Sequence, residues 1–343
     1  MDKWVLVRAN GYSRQLHLQS LVVILVLSFI ALLIGWLSLA IGKYNLSIPQ
    51  LFTALGSGQI AGDAFIVQIL RMPRMLLALL VGGALGVSGL LLQTIVRNPL
   101  ASPDIMGVTG GASAAAVWFL TVAASSSGAF WLPLVAMAGG VAGGGLVYLL
   151  AWSSGASSTR LILIGIGVSA IMTALTTMLL LFTPMSSVMS AYVWLTGSVY
   201  GARWYEVTNL AMWLFPAVLA LLWVGRSVLV NELDESLSVG LGVNAEFMRR
   251  TLLVLSVYIA GAAIAYAGAL SFVGLMSPHL ARRLTGRPGP ELIVVTALVG
   301  SILVMVADLI GRVVFLPLDL PAGIFVSAIG APYFLYLLLR SRT

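Results

Sequence analysis

The chain contains no cysteine, which excludes disulfides, thiolate metal sites and cysteine nucleophiles. Its only histidines are His17 and His279, and two isolated imidazoles make no metal site. Lysine is confined to Lys3 and Lys43. Neither follows a glycine-rich loop of the kind that cradles phosphates, so any ATP must be hydrolysed by another chain. Charge of both signs is scarce: 8% of the 343 residues are charged, against roughly 25% in soluble domains. A water-exposed surface cannot be built from so little.

What fills the chain is apolar, at 60% hydrophobic residues. The run over residues 21–41 exceeds the roughly 18 uncharged residues that mark a membrane-spanning helix, so the protein reads as polytopic. That first run is longer than a signal peptide's core and no small-residue cleavage site clearly follows it. It is kept as a span, with residues 1–20 as a cytoplasmic tail carrying Lys3, Arg8 and Arg14, and residues 21–343 as one transmembrane domain. The sequence pI near 10 does not indicate nucleic acid, because the basic residues are spread thinly rather than gathered in a stripe with aromatics.

Clear apolar runs lie at about 21–41, 75–96, 105–124, 130–152, 161–182, 207–225, 251–275, 291–314 and 322–339. Nine spans from a cytoplasmic start would divide the 18 basic residues evenly between the two sides. If residues 251–285 cross twice, by one ordinary helix and one short one turning near Gly268 or Gly274, only Lys43, Arg71, Arg74, Arg203 and Arg312 remain outside. Basic residues collect in cytoplasmic loops. The expectation is therefore an all-α protein of ten transmembrane helices with both termini cytoplasmic.

Between two of these runs stands RNPLASPDIMG, residues 97–107. Asn98 and Pro99 should stop one helix. Ser102, Pro103 and Asp104 should start the next, as N-cap, first-turn proline and carboxylate at the positive helix end. The stretch reads as a tight cytoplasmic turn. Glycine pairs four apart, Gly82 with Gly86, Gly139 with Gly143 and Gly140 with Gly144, predict close helix packing.

Chemistry-bearing residues are few. Ser88 in GVSG with His279 as base would suggest an intramembrane hydrolase, but the small residues around Ser88 fit helix packing and His279 falls at the cytoplasmic edge in SPHLARR. In the run over 161–182, Gly165, Ser169, Thr173 and Thr176 or Thr177 recur at helical spacing. This small polar stripe lines a passage for a polar solute or serves hydrogen-bonded helix packing. Asp308 is the one carboxylate well inside a span. Arg312, four residues on, makes a local ion pair the favoured reading and tells against an ion-coupled secondary carrier.

Residues 231–250 form a cytoplasmic segment expected to fold as two short helices. Leu233, Leu237 and Leu241 share one face, Gly242 ends the first helix and Asn244 caps the second. Glu232, Asp234 and Glu235 stand near the start, where the helix dipole favours them. Such a pair suits docking to a soluble partner; a solvated connection is the alternative. On the other side, Arg71, Arg74 and Arg312 run against the orientation bias, which suggests complementarity to carboxylates on a docking protein or contact with lipid headgroups.

LRMPR, GGALGVSGLLLQ, RNPLASPDIMG, YVWLTGS, FVGLMSPHLARR, ADLIGR and LPAGIFVSAIGAPYF, in this order from about residue 20 to the C-terminus, together resemble the FecCD family. The resemblance implies a type II ABC importer permease for iron(III)-siderophores, vitamin B12 or haem. It would be multi-pass in the cytoplasmic (inner) membrane, paired as a homodimer or with a paralogous permease. Two cytoplasmic ABC ATPase subunits would hold the ATP and Mg, and a periplasmic or lipid-anchored siderophore-binding protein would deliver the cargo. The permease itself would carry no cofactor and catalyse no bond chemistry. By position, Arg71, Arg74 and Arg312 resemble the family's arginines that meet the binding protein. The segment containing Glu232, Asp234, Glu235, Leu237, Ser238, Leu241 and Gly242 resembles its ATPase-coupling segment. Ser238 replaces a common alanine and Asp319 a frequent glutamate, and GRPGPE departs from the usual run after the eighth helix. WLTGS and SPDIMG are most similar to ferric dicitrate-type permeases.

Overall fold

The structure, a computed structural model, describes residues 4–9, 12–56, 62–123, 128–152, 158–232, 245–286 and 290–340. A hairpin of two antiparallel strands, β1 (Trp4–Ala9) and β2 (Tyr12–His17), opens the described chain, with Trp4 opposite His17 and Ala9 opposite Tyr12. It lies within residues 1–20, the expected tail; the described residues after it form no strand, so the expected all-α architecture of the remainder holds.

The helices are α1 (Leu18–Ala40), α2 (Ile48–Gly56), α3 (Asp63–Val96), α4 (Val108–Val122), α5 (Leu132–Trp152) and α6 (Ser158–Phe182). They continue with α7 (Met185–Thr196), α8 (Trp204–Glu232), α9 (Ala245–Ala267), α10 (Val273–Thr285), α11 (Glu291–Val313) and α12 (Ala322–Arg340). Among the described residues seven are long and apolar enough to cross a membrane, namely α1, α3, α5, α6, α8, α9 and α11. Helices α4 and α12 are apolar but shorter. Hydropathy marked neither α2 nor α7, because both are too short to register as runs.

Helix α3 is the hub. Its apolar window is 78% buried inside the protein, against 17% for α1 and α8, and it packs on α8, α9, α10 and α11. Sequence hydropathy started this span at residue 75, but the helix begins at Asp63. Residues Ile66–Arg71 form a π-helical turn just before Pro73. Proline lacks an amide hydrogen, and a π-turn shifts the local hydrogen-bond register so that the helix continues past it. Two arginines thus come to lie on the helix rather than in a loop.

Glycine lets α3 approach its neighbours. A Cβ on Gly82 would stand 2.2 Å from the carbonyl oxygen of Gly300 in α11, a distance no side chain tolerates. Gly139 and Gly143 of α5 likewise face the backbone of Gly111 and Gly107. The predicted packing role of these glycines holds.

The segment expected to cross twice after residue 251 forms two helices, α9 and α10, broken at Gly268 with φ +70°. Gly274 lies inside the second. Helix α10 has 13 residues, about 20 Å at 1.5 Å per residue.

The RNPLASPDIMG stretch corrects its reading as an ordinary turn. Arg97 does end α3, in a left-handed conformation (φ 52°), and the Asn98 side chain accepts from Leu100 N–H. Helix α4 starts only at Val108, after Gly107 (φ 73°), so Ser102 and Asp104 do not cap it. Ala101, Ser102 and Pro103 are buried instead. Pro103 packs on Gly274 of α10, and the carbonyl of Ile105 packs on Gly165 of α6. Polar backbone inside a membrane protein is tolerated where protein covers it, and this segment is covered from two sides.

Candidate functional site

Where α1 ends and α3 begins, three arginines converge. Arg71 leaves the π-turn and donates through Nη1 to the carbonyls of Leu39 (2.6 Å) and Ala40 (3.1 Å), and through Nη2 to that of Tyr44. Arg312 donates to the carbonyl (2.6 Å) and hydroxyl (3.1 Å) of Ser38. Both serve the C-terminus of α1, whose last carbonyls have no partner within the helix and carry negative partial charge.

Arg74, one turn beyond Arg71, holds two carboxylates. Its Nε and Nη2 donate to Asp308 of α11 at 2.7–3.0 Å. Nη1 and Nη2 donate to Asp319, in the α11–α12 connection, at 2.7 and 2.8 Å. The guanidinium carbon stands 5.5 Å from the centroid of the Tyr200 ring, within reach of a cation–π contact. The expected Asp308–Arg312 pair is therefore corrected. At four-residue spacing the two share a helix face, but Arg74 reaches Asp308 from the neighbouring helix with its full fork, and Arg312 turns to α1.

A second site lies between α4, α6 and the turn before α10. A cavity of about 310 Å³ is lined by Asp104, Thr109, Ser113, Ser169, Thr173, Thr176, Thr177 and Ser271, with Gly110, Leu180 and Leu195. Four of the stripe residues predicted on α6 thus share one polar cavity. Gly165 does not join them, since a Cβ there would meet the Ile105 carbonyl at 2.1 Å. It is a packing residue.

The hydroxyls are held in place. Thr173, Thr176 and Thr177 each donate to the carbonyl four residues back, at 2.8–2.9 Å. Ser169 donates to the Asp104 carbonyl, and Thr109 to the Asp104 carboxylate at 2.7 Å. With their hydrogens committed, these groups offer the cavity mainly lone pairs.

Sequence reasoning missed Asp104, Thr109, Ser113 and Ser271 as lining residues. The signal present was Asp104 itself, an acid between two apolar runs, assigned to helix capping instead. A larger cleft of about 720 Å³ was also unforeseen. It is lined by Phe130, Trp194, Tyr200, Arg203, Tyr205 and Tyr266 among others.

Ser88 and His279 do not form a nucleophile–base pair. Ser88 bonds the carbonyl and hydroxyl of Ser256, both at 2.8 Å, and His279 packs edge-on against Tyr333. Among the described residues no group of three or more His, Asp or Glu side chains gathers as a metal site. Of the segment expected to be cytoplasmic, Glu232 is the last residue of α8. Asp234, Glu235, Leu237, Ser238, Leu241 and Gly242 lie outside the described residues, as does the helix pair expected there. Helix α9 begins directly after Asn244.

The profile of the FecCD transport family matches residues 29–340. The achromobactin transport system permease protein CbrC of Dickeya dadantii is 51% identical over 342 residues, covering 100% of this chain and 98% of that protein. The Fe(3+) dicitrate transport system permease protein FecD of Escherichia coli is 40% identical over 298 residues, covering 86% and 92%. Among solved structures, an inward-facing chain assigned to a metal-chelate type ABC transporter matches with a TM-score of 0.80 at 28% identity, covering 93% of this chain and 99% of its own.

Proposed function

The chain belongs to the FecCD transport family, and from that premise we propose that it is the membrane-spanning permease subunit of an ABC importer for iron(III)-siderophores. The observation that carries the reading is similarity over nearly the whole chain to permeases whose names specify achromobactin and Fe(3+) dicitrate transport. Vitamin B12 and haem rank below siderophores for that reason.

Ten crossings follow if α4, α10 and α12 traverse the bilayer together with the seven longer helices. Both termini and residues 231–250 then face the cytoplasm of a multi-pass inner-membrane protein. Two ATPase subunits binding ATP and Mg dock on that segment through Glu232, Asp234, Glu235, Leu237, Ser238, Leu241 and Gly242. A second permease, identical or paralogous, completes the pathway. The hydroxyl-lined cavity of Ser169, Thr173, Thr176 and Thr177 is this subunit's share of it, and Arg71, Arg74 and Arg312 mark the face that receives the siderophore-binding protein. Chain chemistry fits movement rather than reaction: the cavity offers hydrogen-bond acceptors and no nucleophile–base pair among the described residues.

The test is uptake of a radiolabelled ferric siderophore into proteoliposomes. Uptake requires ATP, the ATPase subunits and the binding protein, and persists when ionophores collapse ion gradients. Gradient-driven uptake by this chain alone would establish the secondary-carrier alternative.

A further inference from the structure

Arg74 holds its two carboxylates unequally. The Asp308 side chain is 2% exposed, whereas that of Asp319 is 28% exposed. Asp308 sits within a helix, and Asp319 on the connection between α11 and α12. The surroundings are short of negative charge. Lys43 is exposed between Gly42 and Tyr44, both of which touch Arg71. Arg71, Arg74 and Arg312 interact with three carboxylates, Asp63, Asp308 and Asp319, and the exposed Lys43 beside them adds a fourth cation. The Nε of Arg312 is buried without a hydrogen-bond partner.

We propose that Asp319 is a placeholder, occupying on Arg74 the position that a carboxylate of the docking protein takes when it binds. This rests on the docking reading above and adds to it how the arginine is kept ready. Asp308 neutralises Arg74, but without Asp319 the Nη1 group and one Nη2 hydrogen would be left without their bonds in a mostly buried guanidinium, and leaving charged donors unsatisfied is unfavourable. One carboxylate replacing another leaves no charge unpaired at either stage. Asp308 and the Tyr200 ring keep the guanidinium in position throughout, so the fork needs no reorientation.

The exchange also has a mechanical consequence. Asp319 ties its loop to α3, and next to it Leu320 N–H donates to the Gly311 carbonyl at 3.2 Å. Three residues further, Gly323 N–H donates to Gly197 at 3.0 Å. Displacing Asp319 frees the side-chain tie between α3 and the entrance to α12. Docking is then reported directly to a helix of the transport domain.

The experiment uses the assembled permease–ATPase complex in nanodiscs, with the iron-loaded siderophore-binding protein of the same host as probe. Asp319→Asn removes the competing charge, and capture at low salt is expected to tighten about tenfold. Asp319→Glu keeps a competitor and should retain the original affinity. Because the chain has no cysteine, a spin label attached to Leu318→Cys before assembly with the other subunits reads the loop alone, and its mobility should rise on capture. Unchanged or weaker capture by Asp319→Asn, equal behaviour of the Asn and Glu variants, or a label indifferent to capture would overturn the exchange. The docking reading fails separately: Arg312→Gln would then leave capture unchanged at low salt.

Discussion

Arg74 and Asp308 stand 234 positions apart in sequence and join through Nε and Nη2 at 2.7–3.0 Å, buried between α3 and α11. Charge inside a membrane protein is costly. Here the guanidinium and its carboxylate compensate each other with several charge-assisted hydrogen bonds, directly above the glycine contact that brings the two helices together. The same helix pair thus combines an uncharged, close-packed stretch with an ionic clasp.

Breaking that clasp from one side should be more harmful than removing it. Asp308→Asn is expected to destabilise the permease by about 1.5–3 kcal/mol, since Arg74 keeps Asp319 but loses its buried charged partner. The combination Arg74→Met with Asp308→Leu should recover much of that loss, since Asp319 can turn to solvent. Thermal unfolding in detergent compares the two.

Gly82→Ala introduces a Cβ at 2.2 Å from the Gly300 carbonyl. The helices must move apart, which overpacking data place at about 1–3 kcal/mol. Gly145, whose Cβ would meet nothing within 4 Å, serves as control, and its Ala variant should retain the original thermal midpoint.

Thr173→Val and Thr177→Val keep side-chain shape and remove oxygen from the cavity wall. Each loses about one hydrogen bond to a passing solute, equivalent to roughly a three- to tenfold change in rate. Uptake should fall while capture of the loaded binding protein stays constant. Equal uptake by the Thr173→Val/Thr177→Val double variant would remove the cavity from the pathway.

Leu237→Asp places charge on the apolar face proposed to dock on the ATPase. Loss of a buried interface anchor costs about 2 kcal/mol or more, so the ATPase should co-purify poorly and uptake should cease. Binding-protein capture on the opposite face should survive.

Single cysteines at Asn244 and Lys43 should react with membrane-impermeant maleimide from opposite sides in oriented vesicles. Labelling of both from one side would refute the odd number of crossings, by α3, α4, α5, α6 and α8, that separates the two positions in the proposed orientation.

Much was legible in the sequence because lipid imposes simple demands. A span must be long and apolar, and basic residues tend to collect on one side, so the approximate places of the long helices and the break near Gly268 followed from composition and charge, while the short α2 and α7 did not. Glycines four apart announced close packing because a missing Cβ has the same consequence against any neighbour. The hydroxyl stripe on α6 was visible through its 3.6-residue spacing. What it faced was not, because Asp104, Ser113 and Ser271 come from other segments.

Partner choice was beyond sequence reach. Spacing offered Asp308 and Arg312 to each other, and only the crossing of α3 with α11 delivered Arg74 instead. The π-turn before Pro73 set the direction of Arg71, toward carbonyls at the end of α1 that no local rule connects to it. Likewise, RNPLASPDIMG carried true helix-stop signals, yet burial against Gly165 and Gly274 decided that it would be an interior segment. Local chemistry and the bilayer determine where helices begin, end and cross; which polar groups meet depends on the relative positions of segments hundreds of residues apart, which no single stretch of chain encodes.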